Sequence, residues 1–278
     1  MIPFPETFGN FYRSQLCFTL QIMSFDSTCR RLAEQFPEDF ATWLLGKPIR
    51  STVLNPTELS LEPIRADNIM LLEGEQDILH IEWQTDPKQV LPMRLADYRL
   101  RIHRMAPDKT IHQVVIYLRK TNSPRVYQNY FEIAGMYAEY EVIRIWEVPV
   151  AELMRFPGLL PFAVLGQTDN PERTLRDAVR SMKKIADPSQ QNEVLGAAYL
   201  LGGLVLDQGL IGKIIRRDVM RESVTYQAVL EEGREEGREE AERSLILSLL
   251  QEDIDLDLIA RVTGWSIEKI IQLQRKND

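Results

Sequence analysis

On either side of a glycine-containing turn lie two short stretches rich in apolar residues, 66–72 before it and 77–85 after it, the second alternating apolar and polar residues from Leu79 to Gln84. Ala66–Leu72 and Asp77–Thr85 read as two strands, joined by a hairpin turn at Glu73–Gln76. With Gly74 and Glu75 as the two loop residues, 73 faces 76, opposed positions sum to 149, and Asp67 faces Glu82. Side chains alternate along a strand, so Ile69 and Leu71 share the face of Asp67, and Gln84 shares that of Glu82. A turn shifted by one residue would instead leave one acid facing solvent.

Upstream, Asp26 or Ser27 caps a helical run, and a second helix over Pro37–Leu45 stops at Gly46. Downstream, the spacing predicts a helix over Pro92–Met105 and strands over His112–Arg119 and Tyr140–Val148. Strands, then a helix, then strands suit an α/β core, a mixed sheet flanked by helices. Beyond Pro149 the pattern turns mainly helical, with Asn170 as a cap before Pro171, a break at 187–191, and helices near 189–207, 209–217 and 219–251. Residues 231–242 repeat every four positions and carry seven acids and two arginines, an exposed charged helix or a helical linker. Near the end, Gly264 and Ser266 fit the close of one helix and the cap of the next. That pair is either a helix-turn-helix, with Lys269, Gln272, Gln274, Arg275 and Lys276 toward DNA, or a docking piece. Ile259, Val262, Trp265, Ile267, Ile270 and Leu273 need an apolar partner, and the acids at 252–257 weigh against DNA.

Composition narrows the class. The 278 residues bound the answer to one large domain or two, and a formal charge of -8 argues against coating nucleic acid by bulk attraction. Two cysteines, Cys17 and Cys29, suggest neither a disulfide framework nor a zinc site, so a cytoplasmic setting is the default. The first twenty-odd residues lack the features of a signal peptide, and Met23 offers a second start that would make residues 1–22 an upstream extension. The longest apolar run, Val194–Leu206, is too short to span a bilayer, so no membrane partner is expected.

One segment is locally basic: between Arg94 and Arg125, eight Lys and Arg residues stand against Asp97 and Asp108. Arg94, Arg101 and Arg104 recur on the predicted helix with Tyr98 between them. They suit phosphate contacts with a tyrosine stacking face, or equally a solvated helix face with ion pairs such as Asp97 with Arg101.

Two carboxylates opposed across a hairpin repel unless a cation lies between them, and a hard divalent ion such as Mg²⁺ is the simplest compensation. Asp67, fourteen intervening residues, then Glu82-x-Gln84 resembles the metal-binding core of the PD-(D/E)xK nuclease superfamily. LPMRLADY at 91–98, the helical opening from Phe25 and the Glu/Gly/Arg tail resemble the recombination-promoting nuclease (Rpn) and putative transposase family. The similarity covers about residues 24–150 and 230–275, with Ala66 where the family has proline and Gln84 where lysine is commoner.

The resemblance implies a restriction-endonuclease-like sheet and a DNA endonuclease using Mg²⁺ or Mn²⁺. Asp67, Glu82 and the carbonyl of Trp83 would hold the metal, Gln84 would orient the attacking water, and Asp26 is an outer acid candidate. Arg94, Tyr98, Arg101 and Arg104 would contact DNA. The alternative is an inactive nuclease-fold module that binds DNA or protein. The expected division is an extension at 1–23, a nuclease-like core at 24–155, a helical region at 156–230 and a charged tail at 231–278 that offers a homo-oligomer contact.

Overall fold

The computed structural model describes residues 25–47, 52–53, 70–215, 227, 231, 238, 242–251 and 254–275. The chain divides into two compact units, Met1–Gln227 and Ala228–Asp278.

The first unit is α/β. Helix α1 (residues 25–35) leads into α2 (Pro37–Leu45), which closes at Gly46 with φ 68°, a left-handed position where glycine carries no Cβ penalty. Five strands form one mixed sheet in the order β1-β2-β3-β4-β7: β1 (Thr52–Val53), β2 (Met70–Glu73), β3 (Asp77–Gln84), β4 (Thr110–Tyr117) and β7 (Glu141–Arg144). β2 and β3 pair antiparallel, whereas β3, β4 and β7 run parallel. A parallel step needs a crossover, and α3 (Leu91–Met105) supplies it between β3 and β4. A separate hairpin, β5 (Tyr130–Ile133) with β6 (Met136–Glu139), turns at Gly135 before β7.

The hairpin register differs from the expectation. Met70 pairs with Ile81 and Glu73 with Ile78, so opposed positions sum to 151. Gly74 donates its N–H to the Asp77 carbonyl at 2.8 Å, and the loop is Glu75–Gln76. Gly74 does not adopt a positive φ and so is not the turn's special residue. A displacement of two keeps parity, and Leu71 still packs on the side of the sheet that carries Ile78 and Glu82. The premise that set 67 against 82 is gone, and Asp67 lies outside the described residues.

Both faces of β3 are covered, which makes it buried along nearly its whole length rather than alternating. Leu79, Ile81 and Trp83 join Met70, Leu72, Val114 and Ile116 in the main core. That core is closed by α1 and α2, a 3₁₀ segment Pro157–Leu165, α5 (Pro171–Met182) and α6 (Pro188–Gly202). Phe40 stands edge-on to both Trp83 and Phe162, at ring separations of 6.2 and 5.9 Å. One core therefore runs across residues 155 and 156. The opposite face belongs to α3, whose Tyr98 and Ile102 pack on Leu71 and Ile78 while Leu91 and Leu95 pack on Val115 and Tyr117.

Short polar caps start the later helices: Asn170 accepts from Arg173 N–H, and Asp187 accepts from Ser189 and Gln190. Asp207 caps α7 (Gln208–Ile214) in the same way. A short helix α4 (Val150–Leu153) precedes these elements. No helix among the described residues is long and apolar enough to cross a membrane.

The second unit has its own core of Ile246, Ile259 and Ile270, from α8 (residues 242–251), α9 (Leu256–Thr263) and α10 (Ile267–Arg275). Gly264 takes φ 74° at the end of α9, and Ser266 accepts from the Lys269 N–H at the start of α10. Trp265 donates its indole N–H to Glu242 at 3.0 Å, while Val262 stays exposed. Of the charged repeat, Glu231, Arg238 and Glu242 are described and helical, and the rest lies outside the described residues.

Because each unit closes its own core, a chain ending at Gln227 should keep the cooperative thermal melt of the first unit, read by far-UV circular dichroism. Loss of that melt would show that residues 228–278 complete the first core.

Candidate functional site

Alternation along β3 places His80, Glu82 and Gln84 on one face, beneath α3. Glu82 is 0% exposed, an unusual setting for a carboxylate without compensation. Its Oε1 accepts from the Gln84 amide at 2.9 Å and from the Arg94 guanidinium, which α3 delivers from its first turn. Its Oε2 has no hydrogen-bond partner.

Burial pushes the Glu82 carboxyl up to about 7; Arg94 opposes this, Asp26 adds to it, and Lys88 and the Gln84 bond oppose it more weakly. Asp26, brought in by α1, is likewise raised to about 7 by burial, against the attraction of Lys88 and Arg94. Its Oδ1 is also buried without a partner. Two carboxyls and two cations, from α1, β3, the loop before α3 and α3 itself, thus act on one another electrostatically, with Arg94 in contact with Glu82. Tyr117, one strand over, is pushed up to about 12 by burial and by Glu82.

His80 is fully buried and held neutral, its pKa lowered to about 3 by burial and by Arg94. The Gln113 amide nitrogen donates to the Leu95 carbonyl at 2.9 Å and meets His80 Nδ1 at 3.0 Å, and its oxygen accepts from Arg99. With the amide nitrogen as donor on both sides, Nδ1 is the acceptor and the imidazole proton sits on Nε2. That proton faces Glu82 Oε2 across 3.8 Å, and the neutral ring makes no ion pair with it. His80 also meets Tyr98 edge-on at 5.5 Å. The same alternation that selects Gln84 would have selected His80 and marked this network.

The remaining expected site residues scatter. The Trp83 side chain lies in the main core, on the face opposite Glu82. Because the Gln84 carbonyl accepts from Leu118 N–H on the β4 side, the preceding Trp83 carbonyl points the other way, toward the β2 side of the strand. Tyr98 is only 6% exposed and presents no open stacking face; packing on Leu71, Ile78 and Ile102 has claimed it. Arg94 turns inward to Glu82, Arg101 pairs with Asp97 at 2.9 Å, and Arg104 is exposed.

Much of the basic segment is engaged in the same way. Arg99 holds Gln113, Lys109 holds Glu73 and the Gly74 carbonyl, and Arg119 pairs with Asp86. Lys120 and Arg125 are exposed. His112 accepts a structural role beside Asp77 at 2.8 Å, with Lys47 on the other carboxylate oxygen at 3.1 Å. His103 is exposed.

Among the described residues no three His, Cys, Asp or Glu side chains converge as a metal cluster. An octahedral ion such as Mg²⁺ keeps several waters and takes only one or two protein carboxylates, so bare carboxylate oxygens such as those of Glu82 and Asp26 are donors of the kind it takes. Comparison of the chain with protein-family models, curated proteins and solved structures finds no match.

The raised acids fix the sign of a pH dependence. A carboxyl with a higher pKa folded than unfolded keeps its proton longer in the folded state, so stability falls as pH rises from 4.5 to about 7 for Glu82, with its full cost present above 7. Asp26 acts in the same direction from 3.8 to about 7. In chelator-treated buffer the melting temperature should therefore drop between pH 5 and 8, and Glu82→Gln should flatten that drop. An equal slope in both proteins would contradict the burial assigned to this carboxyl.

Proposed function

We propose that this chain is a Mg²⁺- or Mn²⁺-dependent DNA endonuclease of the Rpn type, with a restriction-endonuclease-like sheet, acting in the cytoplasm. The observation that supports the reading best is Glu82: a fully buried carboxylate with one bare oxygen, two residues before Gln84 and coupled to Asp26. Glu82 would hold the metal with Asp67, the Trp83 carbonyl and Asp26 as further oxygen donors. The metal, when bound, lowers the pKa of a coordinated water and neutralises charge growing on the phosphate. Gln84 would orient that water without taking its proton, since an amide is not a base near neutral pH. Arg94, Arg101 and Arg104 are the candidate phosphate contacts, and the C-terminal helices a candidate route to a homo-oligomer.

One observation favours a second reading. Arg94 already neutralises Glu82, and Arg99, Arg101, Lys109 and Arg119 are engaged within the protein. That arrangement suits an inactive module that binds DNA or protein. Nicking of supercoiled plasmid separates the two. The endonuclease reading expects nicking with Mg²⁺ or Mn²⁺, none with EDTA, and a loss of about 10²-fold or more in Glu82→Gln. Plasmid retention without nicking would favour the binding module, and nicking that survives Glu82→Gln would refute the assigned site.

A further inference from the structure

We propose that Arg94 is the internal counter-cation of the Asp26 and Glu82 pair: its guanidinium holds the Glu82 carboxylate while no metal is bound and is exchanged for a divalent ion when one arrives. The inference rests on the metal reading above and assigns Arg94 a positioning role within it.

A carboxylate removed from water needs a positive partner, and the groups facing Glu82 can be taken in turn. His80 on β3 is neutral, with its lone acceptor nitrogen occupied by Gln113. Gln84 supplies a hydrogen bond but no charge. Tyr98 and Tyr117 are neutral phenols whose pKa values are raised, chiefly by burial. Asp26 adds a second negative charge. Lys88, in the loop before α3, acts on both acids from an exposed position. Among the described residues, Arg94 alone puts a cation in hydrogen-bond contact with Glu82.

That contact is one-sided. Arg94 reaches Oε1 only, while Glu82 Oε2, Asp26 Oδ1 and its own Nε are buried without partners. One guanidinium therefore leaves the second oxygen of Glu82 unserved, and a small divalent ion with its waters could serve it and feel the charge of Asp26. Charge favours exchange as well: a divalent ion brings two positive charges to the acids where Arg94 brings one. The arginine side chain is 24% exposed against 0% for Glu82, so it has a path outward that the acid lacks. Once withdrawn, its planar fork suits a phosphate through two parallel hydrogen bonds.

The test is Mn²⁺ binding to the full chain, followed by electron paramagnetic resonance and by the melting temperature with EDTA or Mn²⁺. The wild type is compared with Arg94→Gln, Lys88→Gln and Glu82→Gln. Arg94→Gln should melt lower in EDTA, bind Mn²⁺ about tenfold tighter and gain more from the metal than the wild type does. Lys88→Gln, which removes a nearby charge that touches neither acid, should change affinity by less than about threefold.

If Glu82→Gln abolishes binding but Arg94→Gln leaves it unchanged or weaker, this inference falls and the metal reading stands. An equal gain in Lys88→Gln would overturn it too, as a general charge effect. No binding by the wild type would remove the metal reading and this one together. Should Arg94→Gln fail to fold, Arg94→Met removes the charge while keeping an unbranched side chain over Glu82 and should likewise bind Mn²⁺ about tenfold tighter than the wild type, and unchanged affinity there overturns the proposal.

Discussion

A carboxylate with no exposed surface lies under α3, and the geometry of that whole face of the sheet follows from keeping it there. Burying an ion costs several kcal/mol even after relaxation, so Glu82 is tolerated only with a cation and hydrogen bonds around it. The cation is Arg94, and it can reach because Leu91, Leu95, Tyr98 and Ile102 seat α3 on the strands. Packing thus aims the charge.

The same helix closes a second polar layer. Gln113 from β4 makes three contacts at once, with His80, the Leu95 carbonyl and Arg99, so strand, helix and imidazole hold each other in one arrangement. A satisfied buried network of this kind favours a single geometry over nearby alternatives. Among the described residues it leaves Glu82 Oε2, His80 Nε2 and Arg94 Nε without partners, and Asp26 Oδ1, Trp83 Nε1 and Thr85 Oγ1 are bare as well. Most buried polar atoms find partners, so a bare oxygen on the fully buried Glu82, next to the bare Nε of the arginine that holds it, calls for a chemical explanation.

Legibility in the sequence followed the physics of each signal. Pro37–Leu45 with Gly46, the Asn170 cap, and Gly264 with Ser266 were readable because local backbone chemistry sets a helix end. The side shared by Leu71 and Glu82 was readable because alternation survives an even shift, while the register itself was not, since Gly74 ends the strand instead of forming the turn. The β5–β6 hairpin and the Pro157–Leu165 segment escaped because four-residue strands and proline-interrupted 3₁₀ turns leave almost no periodic trace. The arginines misled most. Spacing places them on one helix, but only tertiary structure shows that Arg94 faces Glu82 and Arg99 faces Gln113. Tyr98 failed for a related reason, its aromatic surface being more useful to the core than to solvent.

The central claim is that the bare oxygen of Glu82 belongs to a divalent-cation seat that Arg94 fills in the metal's absence. A crystal grown with saturating Mn²⁺ and measured at the manganese absorption edge tests it most directly. The account predicts an anomalous peak about 2.1 Å from Glu82 Oε2, with the Arg94 guanidinium withdrawn from Oε1. Arg94 still bonded to Glu82, with no anomalous density beside either carboxyl, would contradict it.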